Sequence, residues 1–279
     1  MRREDIARKL LGGCSARIDT QAGPQGTAFF AAPGFAVTAA HVVDGVAGLA
    51  VRLSEGSHDW HGHVAAVRPP RPGDLARTSP YPAPDMALIK IDEGPRHACA
   101  LLAAHAPDIG ARVMAYGYTQ AFDHVAITAE TESFRLVGTL ETPTPGCTLL
   151  KLGLGEVTQG MSGAPVLDLR TGEVIGMLRT SRKLDSNLGG WVVPVDLIRQ
   201  LWPEEVDSGN DRFHRQDARW RQASSQLRGP SSPKKGTSPD SGLSIGKIEG
   251  DIGTIITGGN VDNVHIEYGR TGGHDPGGC

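Results

Sequence analysis

The chain has 279 residues, a formal net charge of −3 and a hydrophobic content of 39%. This length suffices for one globular unit with two cores and a tail, and the weak negative charge excludes an overall attraction to polyanions such as nucleic acids. The N-terminal segment MRREDIARKL mixes both charges and lacks the apolar stretch of a signal peptide, and no apolar run is long enough to span a membrane. We therefore expect a cytoplasmic protein that begins with a short helix over residues 4–11.

Short β-favouring runs separated by Gly and Pro turns follow that helix. Six strands are predicted in the first part of the chain, at residues 16–19, 26–30, 35–40, 49–53, 61–67 and 86–91. Six more are predicted in the second part, at residues 112–116, 125–141, 148–152, 164–167, 173–180 and 190–195. Regularly spaced strands without long helical periods predict an all-β sandwich or barrel rather than a βαβ fold.

Three short segments carry a pattern typical of nucleophilic catalysis. Residues 158–165 read Thr-Gln-Gly-Met-Ser-Gly-Ala-Pro, a glycine-flanked turn that presents the hydroxyl of Ser162. In such a turn the backbone N–H groups of Gly160 and Ser162 can point at one spot and form an oxyanion hole. Upstream, His41 ends an apolar run and Asp85 immediately precedes an alternating strand. A serine hydroxyl needs a base and an orienting carboxylate, and these three residues supply them in the order His, Asp, Ser.

On these motifs, residues 12–202 resemble the chymotrypsin superfamily, specifically the bacterial trypsin-like peptidases related to HtrA. The resemblance implies two six-stranded antiparallel β-barrels with the active site between them. It also implies a catalytic triad of His41, Asp85 and Ser162 and an oxyanion hole formed by Gly160 and Ser162. The Asp or Asn that usually precedes the serine is Met161 here, which implies an activation route other than zymogen cleavage.

The same resemblance places substrate-binding residues before the serine and on the strand after it. These residues are Glu156, Val157, Thr158, Arg179, Thr180 and Gly190. Glu156 would favour a basic P1 side chain, whereas Arg179 and Arg182 would favour an acidic one. Solvated loop charges are an equally good interpretation, and the sequence leaves P1 open.

No cofactor is implied by the sequence. The four cysteines, Cys14, Cys99, Cys147 and Cys279, show no Cys-x-x-Cys spacing, and an intracellular chain would keep them reduced. His58, His61 and His63 lie close together, but no carboxylate or cysteine completes a recognisable metal site, so an exposed strand is expected instead.

The composition changes after Trp202. Residues 203–242 are polar and rich in Ser, Pro and Arg, which predicts a flexible linker with a helical stretch near residues 212–227. Residues 243–279 are β-favouring again, with Ile and Val alternating with Gly, Asn and Asp. This tail resembles the amyloid signalling motifs of bacterial effectors and NLR-like (STAND) sensors, which implies recruitment by a sensor or self-assembly. A β-hairpin that docks on the protease and an unstructured tail are the alternatives.

Together these features predict a regulated cytoplasmic serine endopeptidase of a bacterial defence system, with protein or peptide substrates. The alternative is a catalytically silent module that binds peptides and assembles through its tail.

Overall fold

The computed structural model describes residues 2–20, 23–45, 50–70, 81–92, 97–119, 128–181 and 188–228. It begins with helix α1 (Arg3–Gly12), which confirms the helix predicted at residues 4–11. Ile6, Ala7 and Leu11 lie on one face of α1 and are buried. Glu4 and Asp5 lie in its first turn, where acidic side chains interact favourably with the helix dipole.

The first barrel is a closed antiparallel sheet of six strands in the order β1-β2-β3-β6-β5-β4. Its strands are β1 (Ser15–Thr20), β2 (Gly23–Ala32), β3 (Phe35–Ala39), β4 (Ala50–Glu55), β5 (His58–Arg68) and β6 (Met86–Ile91). Ile18, Phe29, Leu53 and Ile89 are fully buried and fill its core. The pairing of Ala39 with Met86 brings the end of β3 beside the start of β6. His41 follows β3 and Asp85 precedes β6, so the two residues lie at the same end of the barrel.

The second barrel repeats this architecture with the strand order β10-β11-β12-β9-β8-β7. Its strands are β7 (Arg112–Thr119), β8 (Thr128–Glu141), β9 (Thr148–Gly153), β10 (Pro165–Asp168), β11 (Val174–Ser181) and β12 (Gly190–Pro194). Leu136, Leu149, Leu152 and Leu167 are fully buried within it. The predicted fold of two six-stranded antiparallel β-barrels is therefore confirmed.

The segment after the second barrel is more helical than the sequence predicts. Residues 203–228 belong to the predicted linker, in which a helical stretch was expected only near residues 212–227, and they are helical over most of their length. Helix α2 (Val195–Leu201) leads into a π-helical turn (Pro203–Ser208), helix α3 (Gly209–Gln216) and helix α4 (Arg219–Arg228). Polar composition suggested a linker, but Asn210 is fully buried and Trp220 donates a hydrogen bond of 2.7 Å to the Gly172 carbonyl, so this segment packs on the barrels and α1.

The predicted tail, residues 243–279, and the rest of the predicted linker from residue 229 lie outside the described residues. The chain divides into two units after Ser232. Within the described ranges, no helix combines the length and apolarity needed to cross a membrane. Cys14, Cys99 and Cys147 are buried free thiols, and Cys279 lies outside the described part.

The histidines of β5 take separate environments. His63 Nδ1 lies 2.9 Å from Asp92 Oδ1, and His58 stacks against Trp60 with ring centroids 6.1 Å apart. Among the residues that the structure describes, no three His, Cys, Asp or Glu side chains converge closely enough to hold a metal ion.

Candidate active site

His41 and Asp85 meet at one end of the first barrel. His41 lies in a short 3₁₀ turn (Ala40–Val43) directly after β3, and Asp85 lies directly before β6. The Nδ1 atom of His41 is 2.8 Å from Oδ2 of Asp85, and the backbone N–H of His41 donates to Oδ1 over 3.0 Å. Because Nδ1 faces a carboxylate, it carries the proton, and Nε2 of the neutral ring is left as the acceptor that a general base requires.

Asp85 is held more tightly than its partner. Its side chain is 2% exposed, against 33% for His41, so water competes little for the carboxylate. Its backbone lies in the left-handed region at φ 66°, a conformation that Asp and Asn tolerate better than most residues. The Asp85 carbonyl also accepts from the N–H of Ala40 over 3.1 Å, which fixes the backbone on both sides of the pair.

Ser162 sits in a tight turn between β9 and β10. The turn is closed by backbone hydrogen bonds from Met161 to Thr158 (3.3 Å) and from Ala164 to Met161 (2.9 Å). Gly160 and Gly163 have φ values of +99° and +91°, which only glycine adopts readily. Space excludes a side chain as well, since a Cβ at Gly160 would lie 2.3 Å from the Tyr118 carbonyl oxygen.

The backbone N–H groups of Gly160 and Ser162 remain available for a ligand. Within the described part of the chain, neither group donates a hydrogen bond. Unpaired N–H groups in the same turn, on either side of Met161, have the chemistry of the oxyanion hole that the sequence predicts. Met161 itself is fully buried, so it fixes the turn by packing rather than through a polar side chain.

Thr27 of β2 connects the two barrels at this turn, and sequence analysis did not identify it. Its N–H donates to the Ser162 carbonyl over 3.0 Å, and its Oγ1 donates to the Gly160 carbonyl over 2.8 Å. The same Oγ1 accepts from the N–H of Tyr118 over 2.9 Å. The turn that carries Ser162 is therefore fastened to the first barrel from both ends.

Gly26 brings the His41 turn and the Ser162 turn together. A Cβ at this position would lie 2.8 Å from Val42 Cγ2 and 3.1 Å from the Ser162 carbonyl oxygen. A residue with a side chain would separate the two turns. Gly26 and Thr27 are therefore recognised from the close packing and hydrogen bonds between the two barrels. No catalytic sequence motif contains them.

Arg179 has a different environment from the one expected at sequence level. Its guanidinium donates through Nη2 to the Tyr81 carbonyl, and its Nε lies 3.2 Å from Asp85 Oδ2. The Nε contact is an ion pair without hydrogen-bond alignment. With its charge directed at Asp85 and 15% of its side chain exposed, Arg179 does not match the predicted role of attracting an acidic P1 side chain. Arg182, the second arginine of that prediction, lies outside the described residues.

Two of the other predicted substrate-binding positions, Glu156 and Thr158, precede Ser162 by six and four residues. Thr158 Oγ1 donates to Glu130 Oε2 over 2.8 Å, and Glu156 is exposed. Burial raises the pKa of Glu132, and the nearby Glu130 and Glu156 carboxylates raise it further. This side of the site is therefore acidic.

Because Gly190 has no side chain, Thr180 and Val157 can pack closely against its backbone. It is buried, and a Cβ there would lie 2.9 Å from both the Thr180 carbonyl oxygen and Val157 Cγ2. Thr180 pairs with Trp191 in the ladder between β11 and β12. The strand residues predicted to contact substrate are thus adjacent in the second barrel.

Sequence comparison agrees with this geometry. A family profile described as the trypsin-like peptidase domain matches residues 26–177, more than half of the chain. The chain therefore belongs to the trypsin-like peptidase domain family. No curated protein sequence matches it.

Solved structures show the same fold. The Rv3671c protease from M. tuberculosis, in its active form, has a TM-score of 0.53 at 23% identity, covering 71% of this chain and 83% of that one. The HtrA-type protease AlgW, solved with a decapeptide, has a TM-score of 0.54 at 14% identity, covering 75% and 69%. A serine endoprotease from Yersinia pestis gives 0.54 at 14% identity, covering 75% and 68%. At these identities the likeness concerns the fold alone.

Proposed function

We propose that this chain is a serine endopeptidase whose catalytic triad is His41, Asp85 and Ser162. The observation that carries the proposal is the 2.8 Å contact between His41 Nδ1 and Asp85 Oδ2, since it leaves Nε2 of the neutral ring as a base. Ser162 Oγ attacks the peptide carbonyl carbon as its proton passes to His41. His41 then returns that proton to the leaving amine, and water hydrolyses the acyl-enzyme by the same route in reverse.

In this proposal, the developing oxyanion is stabilised by the backbone N–H groups of Gly160 and Ser162. Each such donor contributes on the order of 3 kcal/mol to the transition state in serine proteases. The hydrogen bonds from Thr27 set their positions before substrate arrives, so little reorganisation is required during the reaction.

The charges beside the site favour a basic P1 side chain. Arg179 is engaged with Asp85, while Glu156 lies on the segment that leads to Ser162 and Glu130 and Glu132 of β8 lie next to that segment. A Lys or Arg side chain would gain charge pairing there. Glu156, Thr158 and Thr180 are the residues that we expect to contact substrate. Arg179 would influence the site through its contact with Asp85.

A fluorophosphonate probe tests the activity directly, because it reacts only with an activated serine. We expect labelling of the full chain at Ser162, loss of labelling in Ser162→Ala, and cleavage of a peptide library after Lys or Arg by the unlabelled wild-type protein. Matched labelling of wild type and Ser162→Ala would contradict the assignment of the nucleophile. Absence of labelling in every state of assembly would favour the silent peptide-binding module.

We further propose that the protein acts in the cytoplasm as a bacterial effector and is recruited through residues 243–279. The support is the repeated Ile/Val and Gly/Asn pattern of this segment, which suits stacking on a similar motif of a sensor or of a second copy. Clustering would raise the effective concentration of the protease without new contacts at the active site.

The tail proposal is tested by a chain that ends at residue 242. We expect this chain to keep the basal labelling rate and to lose assembly, measured by sedimentation and by thioflavin fluorescence. If the truncated chain assembled like the full one, the recruitment role would be rejected.

A further inference from the structure

Arg179 reaches from the second barrel to the carboxylate of the first. Its Nε lies 3.2 Å from Oδ2 of Asp85, the same oxygen that faces His41 Nδ1 at 2.8 Å. Its Nη2 donates to the carbonyl of Tyr81, four residues before Asp85 in the chain. One guanidinium therefore touches both the carboxylate and the backbone segment that carries it.

The contact between Arg179 and Asp85 is shielded from solvent. The side chain of Asp85 is 2% exposed and that of Arg179 is 15% exposed, so solvent screens the pair weakly. A buried carboxylate requires a partner for each oxygen, and here Oδ1 accepts from the His41 N–H while Oδ2 is shared between His41 and Arg179. The guanidinium contributes its charge to Oδ2, while the hydrogen bond from its Nη2 to the Tyr81 carbonyl holds the planar group in place.

We propose that Arg179 is a positioning residue of the triad. It orients the Asp85 carboxylate so that Oδ2 accepts a hydrogen bond from the Nδ1–H of His41. This inference rests on the proposed function. Arg179 contacts neither substrate nor the reacting atoms, and it acts only through Asp85 and the Tyr81 carbonyl.

The place of Arg179 in β11 gives the contact a second consequence. The next residue, Thr180, belongs to the strand expected to bind the substrate backbone. A shift of this strand would move the guanidinium and with it Asp85. Arg179 therefore links the substrate strand of the second barrel to the acid and base of the first.

The test uses the full chain with Arg179→Met, which keeps the aliphatic stem, and Arg179→Lys, which keeps the charge. Arg135→Met is the matched control, since the exposed Arg135 also belongs to the second barrel and donates to a backbone carbonyl, that of Gly110 at 3.3 Å. Turnover of a peptide substrate, thermal unfolding and the downfield NMR resonance of the His41 Nδ1 proton are measured for each protein.

We expect Arg179→Met to lower kcat about tenfold to a hundredfold with KM nearly unchanged, because a misoriented base loses catalysis without losing substrate contacts. The Nδ1 proton resonance should shift or broaden, Arg179→Lys should recover part of kcat, and Arg135→Met should match wild type in both respects.

A folded Arg179→Met protein with wild-type kcat and an unchanged resonance would overturn the inference. If Arg179→Met does not fold, Arg179→Lys decides, because a wild-type resonance and kcat in that protein would show that charge alone suffices and that orientation by the guanidinium does not matter. The resonance is measured in the resting protein, so it tests Arg179 even if wild type shows no turnover. Absent turnover and absent Ser162 labelling would count against the proposed function alone.

Discussion

The backbone N–H of Thr27 donates a hydrogen bond to the carbonyl oxygen of Ser162 over 3.0 Å and so joins the two barrels at the turn that carries Ser162. Thr27 is fully buried, and its carbonyl in turn accepts from Thr38 Oγ1 over 2.7 Å. A hydrogen-bonded strand of the first barrel therefore holds the turn. This arrangement is compatible with Met161, which has no polar group to offer.

Replacing Thr27 with Val tests this role of the hydroxyl. The change leaves the Gly160 carbonyl and the Tyr118 N–H without their partner, so the free energy of unfolding should fall by about 1–3 kcal/mol. The labelling rate at Ser162 should fall as well, because Gly160 belongs to the proposed oxyanion hole. Urea unfolding and fluorophosphonate kinetics measure the two effects. Thr27→Ser keeps the hydroxyl and should keep the labelling rate, and an equal loss in both variants would contradict the prediction.

Gly163 should tolerate no side chain, for steric more than conformational reasons. A Cβ there would lie 1.9 Å from the Thr27 carbonyl oxygen and 2.5 Å from Thr38 Oγ1. Gly34 is the matched control, since it has a similar φ of +80° but no atom lies within 4 Å of the place that a Cβ would take. We expect Gly34→Ala to cost about 1 kcal/mol of unfolding free energy and Gly163→Ala more than about 3 kcal/mol. Equal losses in urea unfolding would show that backbone strain alone decides.

Asp85→Asn should preserve the fold and abolish most activity. Asn accepts the left-handed backbone at φ 66°, and its Oδ1 can still accept from the His41 N–H. Its amide NH₂ would then face His41 Nδ1 and favour the tautomer protonated at Nε2, which cannot act as the base. By comparison with the same change in trypsin-like enzymes, kcat should fall on the order of 10⁴-fold. A loss below about tenfold at an unchanged melting temperature would contradict the role of Asp85.

The fold and the contact between His41 and Asp85 were predictable because both follow from local sequence patterns. Alternating strands give the two barrels, and His41, Asp85 and Ser162 each lie in a short motif. The environments of Thr27 and Arg179 were not predictable, since both depend on contacts between barrels that are distant in the chain. Arg179 was expected to face substrate because charge pairing was inferred from position alone, without knowledge of the Asp85 carboxylate behind the strand.

The helices after Trp202 show a different limit of prediction. Their composition is polar, yet a few apolar side chains are buried, namely Val206 in the π-helical turn and Trp220 and Leu227 in α4. Asn210 is fully buried too, and its amide donates 2.6 Å hydrogen bonds to the carbonyls of Ala31 and Ala100. Mean composition cannot distinguish a polar residue that satisfies buried backbone groups from one that is solvated.

Asn210→Ala therefore tests whether the helices after Trp202 are part of the protease fold. It would leave the buried carbonyl of Ala31 without its amide donor and remove one of the donors to Ala100, at a cost on the order of 3 kcal/mol of unfolding free energy. Gln216→Ala, on the exposed side of α3, is the control and should change the unfolding free energy by less than about 0.5 kcal/mol. If urea unfolding gave the same result for both variants, α3 would contribute little to the stability of the barrels.

His97 should make stability depend on pH. The ring is stacked on Phe30 with centroids 4.0 Å apart, and Nε2 accepts a hydrogen bond from the Gly34 N–H over 3.2 Å. Burial lowers the pKa of His97 below its usual value of 6.5, and burial lowers the pKa of His214 in the same way.

Because the unfolded chain binds protons at a higher pH than the folded one, the stability present above about pH 6.5 is lost as the pH falls toward the lowered folded values. We expect the free energy of unfolding to fall between about pH 7.5 and about pH 5, and to fall less steeply in His97→Gln, which retains an acceptor for Gly34 and cannot be protonated. Urea unfolding at a series of pH values measures both slopes. Identical slopes would mean that His97 takes up its proton without cost, and that the Gly34 N–H does not oppose protonation of Nε2.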